Sequence, residues 1–416
     1  MRRTLALLAA LFFLLPAYTK ENKEITKTGW NFGPLPVVGF DSDLGFQYGI
    51  CCDIFNFGNG SNYPQYDYKI NLEASTYTKG SSILRTYGDF KTLFPDGKLF
   101  FDVTYFNAPK YGFYGFNGYA TEFNPDLKGF YFMSRKQFRI LTSIQKKITG
   151  NLNLAIGLAY YNIATDHLNL EEYEGQQTLY NVYLDNELIN NNEKDGGNVT
   201  QIRAGVVYDT RNYDSDPTKG INLEASLVYS PDIIDQRGYT NLGFHLSFSE
   251  YLPLSSSDRL TFAYRALVQM NFIGDIPYYF TNNINSMFFR KIYTEAIGGS
   301  ASVRGLNRNC VLGEGMAMFN FELRWRIYDF RLINQNWQIA TNPFFDAGKI
   351  LQPYRLKKQK EAGLYSGKET GTHYTAGLGF KLVMNHNMVL SFEAAKAFDK
   401  NDGDELWTNV GFNYLF

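Results

Sequence analysis

Beyond its first residues the chain has no apolar run long enough to cross a membrane as a helix, which needs about 20 consecutive apolar residues. Cysteine is scarce. There are three, with Cys51 and Cys52 adjacent and Cys310 far away. No pair has the spacing of a metal ligand set or a redox motif, and all three read as small apolar fillers. Histidine is sparse as well, and His167, His245, His373 and His386 are widely scattered, so no metal and no cofactor is expected. An excess of charge of either sign is missing too. The formal net charge is −1, which offers no basic surface to a nucleic acid.

Aromatic residues and a period of two are abundant instead. Aromatics make up 17% of the chain and glycine numbers 37. Mean hydropathy is nevertheless −0.29. Leu152, Leu154, Ile156, Leu158 and Tyr160 alternate with Asn153, Ala155, Gly157 and Ala159. Leu260, Phe262, Tyr264, Ala266, Val268, Met270 and Phe272 alternate with Thr261, Arg265, Gln269 and Asn271. Such alternation means strands with one apolar and one polar face. Their length favours a barrel in lipid, where strands need about 9–11 residues, over a globular sheet, where about 5–6 is typical. Strand starts are predicted near Gly33, Leu44, Tyr66, Ile83, Lys98, Tyr131, Leu152, Thr200, Lys219, Tyr239, Arg259, Gly315, Trp337, Thr372, Asn387 and Glu405. This gives an all-β fold: a single 16-stranded antiparallel transmembrane barrel, even-numbered as bacterial single-chain barrels are. Long connections fall after strands 5, 7, 11 and 13, at 110–130, 167–198, 275–312 and 351–371. With both termini in the periplasm these are extracellular loops. The gap at 56–64 is longer than a periplasmic turn needs.

The N-terminus supplies the address. Arg2 and Arg3 precede an apolar run from Leu5 to Leu15, and Pro16 to Thr19 lead into charge at Lys20. Residues 1–19 are therefore expected to be a cleaved signal peptide, 20–32 a short periplasmic segment and 33–416 the barrel.

Three motifs carry more specific information. Tyr208-Asp209-Thr210-Arg211-Asn212 is followed by Pro217-Thr218-Lys219-Gly220. Ser302-Val303-Arg304-Gly305-Leu306 lies in the long loop before strand 12, the sixth on the extracellular side. Phe344-Phe345-Asp346-Ala347-Gly348 lies in strand 13. In this order they resemble the BamA/TamA superfamily of outer-membrane proteins, the bacterial surface antigen family, most clearly over 208–416. The resemblance implies a sixth extracellular loop folded into the barrel, with Val303, Arg304, Gly305 and Leu306 as its motif and the strand bearing Asp346 and Gly348 receiving it. Position 306 is Leu where that family usually has Tyr or Phe. Alternation independently turns Glu322 and Arg324 of strand 12, and Asp346 of strand 13, toward the lumen. A planar guanidinium suits a bidentate bond to such a carboxylate. The last residues alternate as Leu406, Thr408, Val410, Phe412, Tyr414 and Phe416 on one face. Phe412, Tyr414 and Phe416 resemble a C-terminal β-signal, and the same pattern also reads as an aromatic girdle at the membrane interface.

An enzyme is not expected. His245 and Ser247 stand two apart on a strand, a spacing that lets a base reach a nucleophile. Leu242, Phe244, Leu246 and Phe248 take the lipid face, so the pair points into the lumen, away from lipid substrate. The resemblance implies assembly, insertion or translocation of proteins at the outer membrane of a Gram-negative bacterium. Its partners would be outer-membrane lipids, client outer-membrane proteins, and accessory subunits replacing the periplasmic POTRA domains that the chain is expected to lack. The rival reading is a passive pore or a structural surface barrel, since sixteen strands enclose an aqueous channel.

Overall fold

Alternation resolves into sixteen strands in the computed structural model, which describes residues 25–118, 124–288, 296–365, 371–403, 405–412 and 414–416. They are β1 (Trp30–Asp41), β2 (Gly45–Asn56), β3 (Tyr68–Tyr77), β4 (Ser82–Phe94), β5 (Gly97–Gly112), β6 (Phe132–Thr149), β7 (Leu152–Asp166), β8 (Gly196–Asp209), β9 (Gly220–Ser230), β10 (Asn241–Pro253), β11 (Leu260–Gly274), β12 (Gly315–Leu332), β13 (Gln335–Gln352), β14 (Thr372–Met384), β15 (Met388–Ala397) and β16 (Trp407–Phe412). Each pairs antiparallel with its sequence neighbours, and β1 meets β16 to close the barrel. The expected signal peptide at 1–19, the first part of the segment 20–32, and Asn413 lie outside the described residues.

The two faces separate as the period of two requires. Phe32, Ile50, Leu84, Leu158, Phe272, Trp325 and Leu378 stand exposed on the outside. In water such a surface would be a liability, but against acyl chains it is the stable arrangement. Inward-facing positions carry charge instead. Asp102 of β5 accepts from Arg85 Nε of β4 at 2.8 Å and from Arg139 Nε of β6 at 2.9 Å, so the buried carboxylate is paired from both neighbouring strands. One departure from simple alternation occurs in β12. A register shift between Arg326 and Tyr328 leaves Ile327 bulged, so Tyr328 takes the outward position that alternation assigns to Ile327.

The long connections gather at one end, where they knit into a cap. The loop after β7 forms helix α1 (Leu179–Asp185) and the loop after β13 forms helix α2 (Leu356–Glu361). Asn117, after β5, donates to Tyr354 O at 2.9 Å and to Gln359 Oε1 at 2.7 Å. Gln359 in turn donates to Tyr183 Oη at 3.1 Å. Phe116 sits edge-on to Tyr183 and Tyr354, with ring centroids 5.0 and 4.7 Å apart. Tyr354 Oη reaches Ile276 O at 2.8 Å, which ties the cap to the sixth loop. At the opposite end Ile25 is strapped to Asn336, next to the β12–β13 turn, by backbone-to-amide bonds of 3.0 and 3.1 Å.

Candidate functional site

The connection between β11 and β12 turns down into the lumen. It closes on itself through a bridge between Ile297 and Val311. Ser302, Val303, Arg304, Leu306 and Cys310 are fully buried. Two glycines make this approach possible. Gly305 has φ +97°, a left-handed conformation, and a Cβ there would lie 3.0 Å from Ala395 Cβ. Gly348 belongs to the receiving wall, where a Cβ would meet Ile297 at 2.7 Å and Val303 at 3.0 Å. Leu306 is buried in the same apolar cluster as Ile297, Val303 and Val311.

Arg304 is the polar centre of this loop. Its Nε and Nη2 donate to the two oxygens of Asp346 at 2.9 and 3.0 Å, the bidentate geometry that a guanidinium provides. Its backbone N–H donates to the same carboxylate at 3.0 Å. Nη1 reaches Glu322 on β12 at 2.6 Å and Glu393 on β15 at 2.8 Å. The guanidinium stacks 3.6 Å above the Phe344 ring. Three carboxylates around one guanidinium would leave excess negative charge. Arg324 donates to Glu322 at 2.8 Å and Lys381 to Glu393 at 2.7 Å, so three cations face three anions. All six groups are buried, which makes the balance a requirement. Glu393 and Lys381 escaped the sequence reading, although both occupy lumen positions of alternating strands.

A second anchor lies four residues on. Arg308 Nη2 pairs with Asp41 at the end of β1, and its backbone N–H donates to Asp43 in the following turn at 2.8 Å. Desolvation, and then the neighbouring Asp41 carboxylate, push the Asp43 carboxyl up to about 6. The loop thus holds β12, β13 and β15 through Arg304 and holds β1 through Arg308. Between those two groups of strands lies the β1–β16 seam. Among the described residues it consists of two residue pairs, Phe40 with Val410 and Asp41 with Asn409, whereas β1 and β2 pair at twelve positions.

The C-terminus departs from the sequence reading. Alternation continues through Phe416, yet β16 stops at Phe412, and Tyr414, Leu415 and Phe416 are buried inside the barrel. Tyr414 and Phe416 therefore do not join Phe412 on an outward face or in an aromatic girdle. The inner surface outcompetes the wall for them. Arg324 donates to Phe416 O at 2.9 Å and lies 4.0 Å from the Tyr414 ring. Phe416 packs 6.1 Å from Tyr251 and beneath Arg265. His245 faces inward and is buried. Ser247, on the same strand face, lines the same lumen cavity.

These features define an outer-membrane β-barrel whose lumen is filled by its own sixth loop. The chain belongs to the Omp85 superfamily, whose domain model matches residues 68–414. Among solved structures it is similar to BamA from Haemophilus ducreyi lacking POTRA domains 1–3, at 17% identity and a TM-score of 0.56, over 93% of this chain and 70% of that one. It is also similar to CdiB from Escherichia coli, at 12% identity and a TM-score of 0.54, over 93% of this chain. It spans 63% of the CdiB chain, under two thirds of its length. At these identities the likeness is one of fold. No curated protein sequence matches this one.

Proposed function

We propose that this barrel inserts or translocates proteins at the outer membrane of a Gram-negative bacterium, with its termini in the periplasm and its capped end outside. The observation that carries the reading is the seam, two residue pairs long among the described residues, where every other pair of neighbouring strands is joined by six or more. A wall that is weak at one place can part there sideways, and an exposed strand edge can engage another chain. The sixth loop, with Val303, Arg304, Gly305 and Leu306 seated against Asp346, Gly348, Glu322 and Arg324, is the element that sets how firmly the seam is held. Outer-membrane lipids bathe the apolar exterior, and client outer-membrane proteins with accessory subunits are the protein partners. No catalytic step is part of this reading. Depleting the protein from cells should lower the outer-membrane or surface abundance of a defined subset of proteins while their synthesis continues, as quantified by proteomics of isolated outer membranes. An unchanged profile would remove the assembly and translocation reading.

Phe412, Tyr414 and Phe416 act in the same proposal as the β-signal by which this chain is itself assembled. Phe416→Ala should reduce the folded protein in the outer membrane several-fold at equal synthesis, and a conservative Phe416→Tyr should restore most of it. Equal membrane levels for Phe416→Ala and the unsubstituted chain would leave Phe416 with a packing role alone.

A passive pore is the weaker reading. The lumen that would conduct is occupied by buried residues of the sixth loop, and three loops close the far end.

A further inference from the structure

β1 carries two prolines, Pro34 and Pro36, in the middle of a strand. A proline has no N–H to give a ladder, so in sheets it sits where its nitrogen faces an open edge. The register between β1 and β2 is unbroken from Trp30 with Asn56 to Asp41 with Gly45, and it includes Pro34 with Cys52 and Pro36 with Ile50. A missing donor on that side would interrupt it. Both nitrogens, two residues apart, therefore point away from β2 and toward the seam. Trp30, Phe32, Val38 and Phe40 share their parity and turn backbone N–H groups the same way. The seam edge of β1 thus offers donors at both ends and none at 34 and 36.

The register of the seam shows what stands opposite. Phe40 pairs with Val410 and Asp41 with Asn409. Continued down the wall, the same register would set Val38 against Phe412, Pro36 against Tyr414 and Pro34 against Phe416. The two donorless positions fall opposite the two aromatic residues that leave the wall and enter the lumen, where Arg324 holds Phe416 O at 2.9 Å.

We infer that Pro34 and Pro36 divide the seam edge of β1 as a strand-recognition surface: they turn the C-terminal tail into the lumen and break, at these two positions, the pairing of any extended strand laid along β1. An open edge inside a bilayer normally leaves unsatisfied donors, which is costly in lipid. Replacing two of those donors by proline removes that cost where the wall stands open and blunts the edge against strand addition. A client strand laid along β1 would meet the same two gaps as the chain's own tail. The inference rests on pairing and register, and it stands or falls independently of the assembly reading above.

The test is disulfide cross-linking across the seam in the full chain, in lipid bilayers, with Cys51, Cys52 and Cys310 replaced by Ala. The pair Leu35→Cys with Leu415→Cys, which the same register would set opposite each other between the two prolines, reports extension of the ladder. The pair Phe40→Cys with Val410→Cys reports the existing seam and shows that the barrel has folded. In the otherwise native chain the first pair should cross-link slowly. With Pro34→Val and Pro36→Val, two ladder donors return, and its rate should rise by about tenfold or more. The second pair should cross-link equally in both. If the double substitution costs the control pair its cross-link, Pro36→Val alone, which restores the donor opposite Tyr414, is read in its place. Efficient cross-linking of the first pair with both prolines present, or no increase on replacing them while the control pair holds, would overturn the inference.

Discussion

Replacing Arg304 by Ala should be the most damaging single change in the lumen, lowering stability by about 3–5 kcal/mol. The loss comes from the charges left behind. Glu322, Asp346 and Glu393 are all buried around this guanidinium, at 2.6–2.9 Å from its nearest nitrogens. Without it, Arg324 and Lys381 are two cations facing three anions. Asp346→Ala should cost less, because Arg304 keeps Glu322 and Glu393. The double substitution should cost clearly less than the two losses added together, since it removes the guanidinium along with the carboxylate most closely bound to it. Arg304→Lys restores charge but not the two-pronged bond, and should fall between the native chain and Arg304→Ala. The temperature at which the compact, unheated gel band is lost reads all four. Additive losses would contradict the arrangement described.

Arg308→Ala should loosen the seam itself, by about 2–3 kcal/mol, less than Arg304→Ala because Asp41 retains backbone donors. Those donors are Asp43 N–H at 2.8 Å and Leu44 N–H at 3.1 Å. The defect should depend on pH. Asp43 sits at about 6 in the folded chain, above the usual carboxylate value of about 3.9. A raised carboxyl means that the folded state binds the proton more tightly. Its contribution to stability is complete below about 4 and is lost as pH rises through about 6. Arg308 holds Asp43 down, so removing it raises that carboxyl further and makes acidification more stabilising. The deficit of Arg308→Ala should therefore shrink between pH 7.5 and pH 5. A deficit that grows over that range would show that Arg308 acts through some other contact.

Much of this molecule is legible in its sequence because a barrel wall is locally determined. Lipid on one side and a polar lumen on the other impose alternation on every strand, so no observed strand begins more than four residues from where the pattern places it. Glu322 and Asp346 are reachable by the same rule, since the face of a residue follows from its parity. Glu393 was equally reachable, with Ser391 on its face and Phe392 on the other, but no motif drew attention to it. Arg308 was not. It lies in a loop without periodicity, and its partners belong to a strand end more than 260 residues away. The inward turn at Tyr414 could not be read from Tyr414 or Phe416. Their alternation is perfect, and the cause proposed for it lies in Pro34 and Pro36 at the other end of the chain. Helix α1, Leu179–Asp185, escaped for a related reason. It is a short segment that gains its stability from Phe113 and Phe116 of a neighbouring loop, whose rings lie 5.2 and 5.0 Å from Tyr183.

The central claim is that the sixth loop, held by Arg304 and Arg308, fills the barrel and governs its weak seam. The most direct test is single-channel recording of the purified full chain in planar bilayers, beside a variant in which residues 276–312 are replaced by a short Gly/Ser linker. The native chain should show small, fluctuating conductance, and the variant large, steady openings with an unchanged strand-dominated circular dichroism spectrum. Steady, porin-like conductance from the native chain, equal to that of the folded variant, would contradict the account.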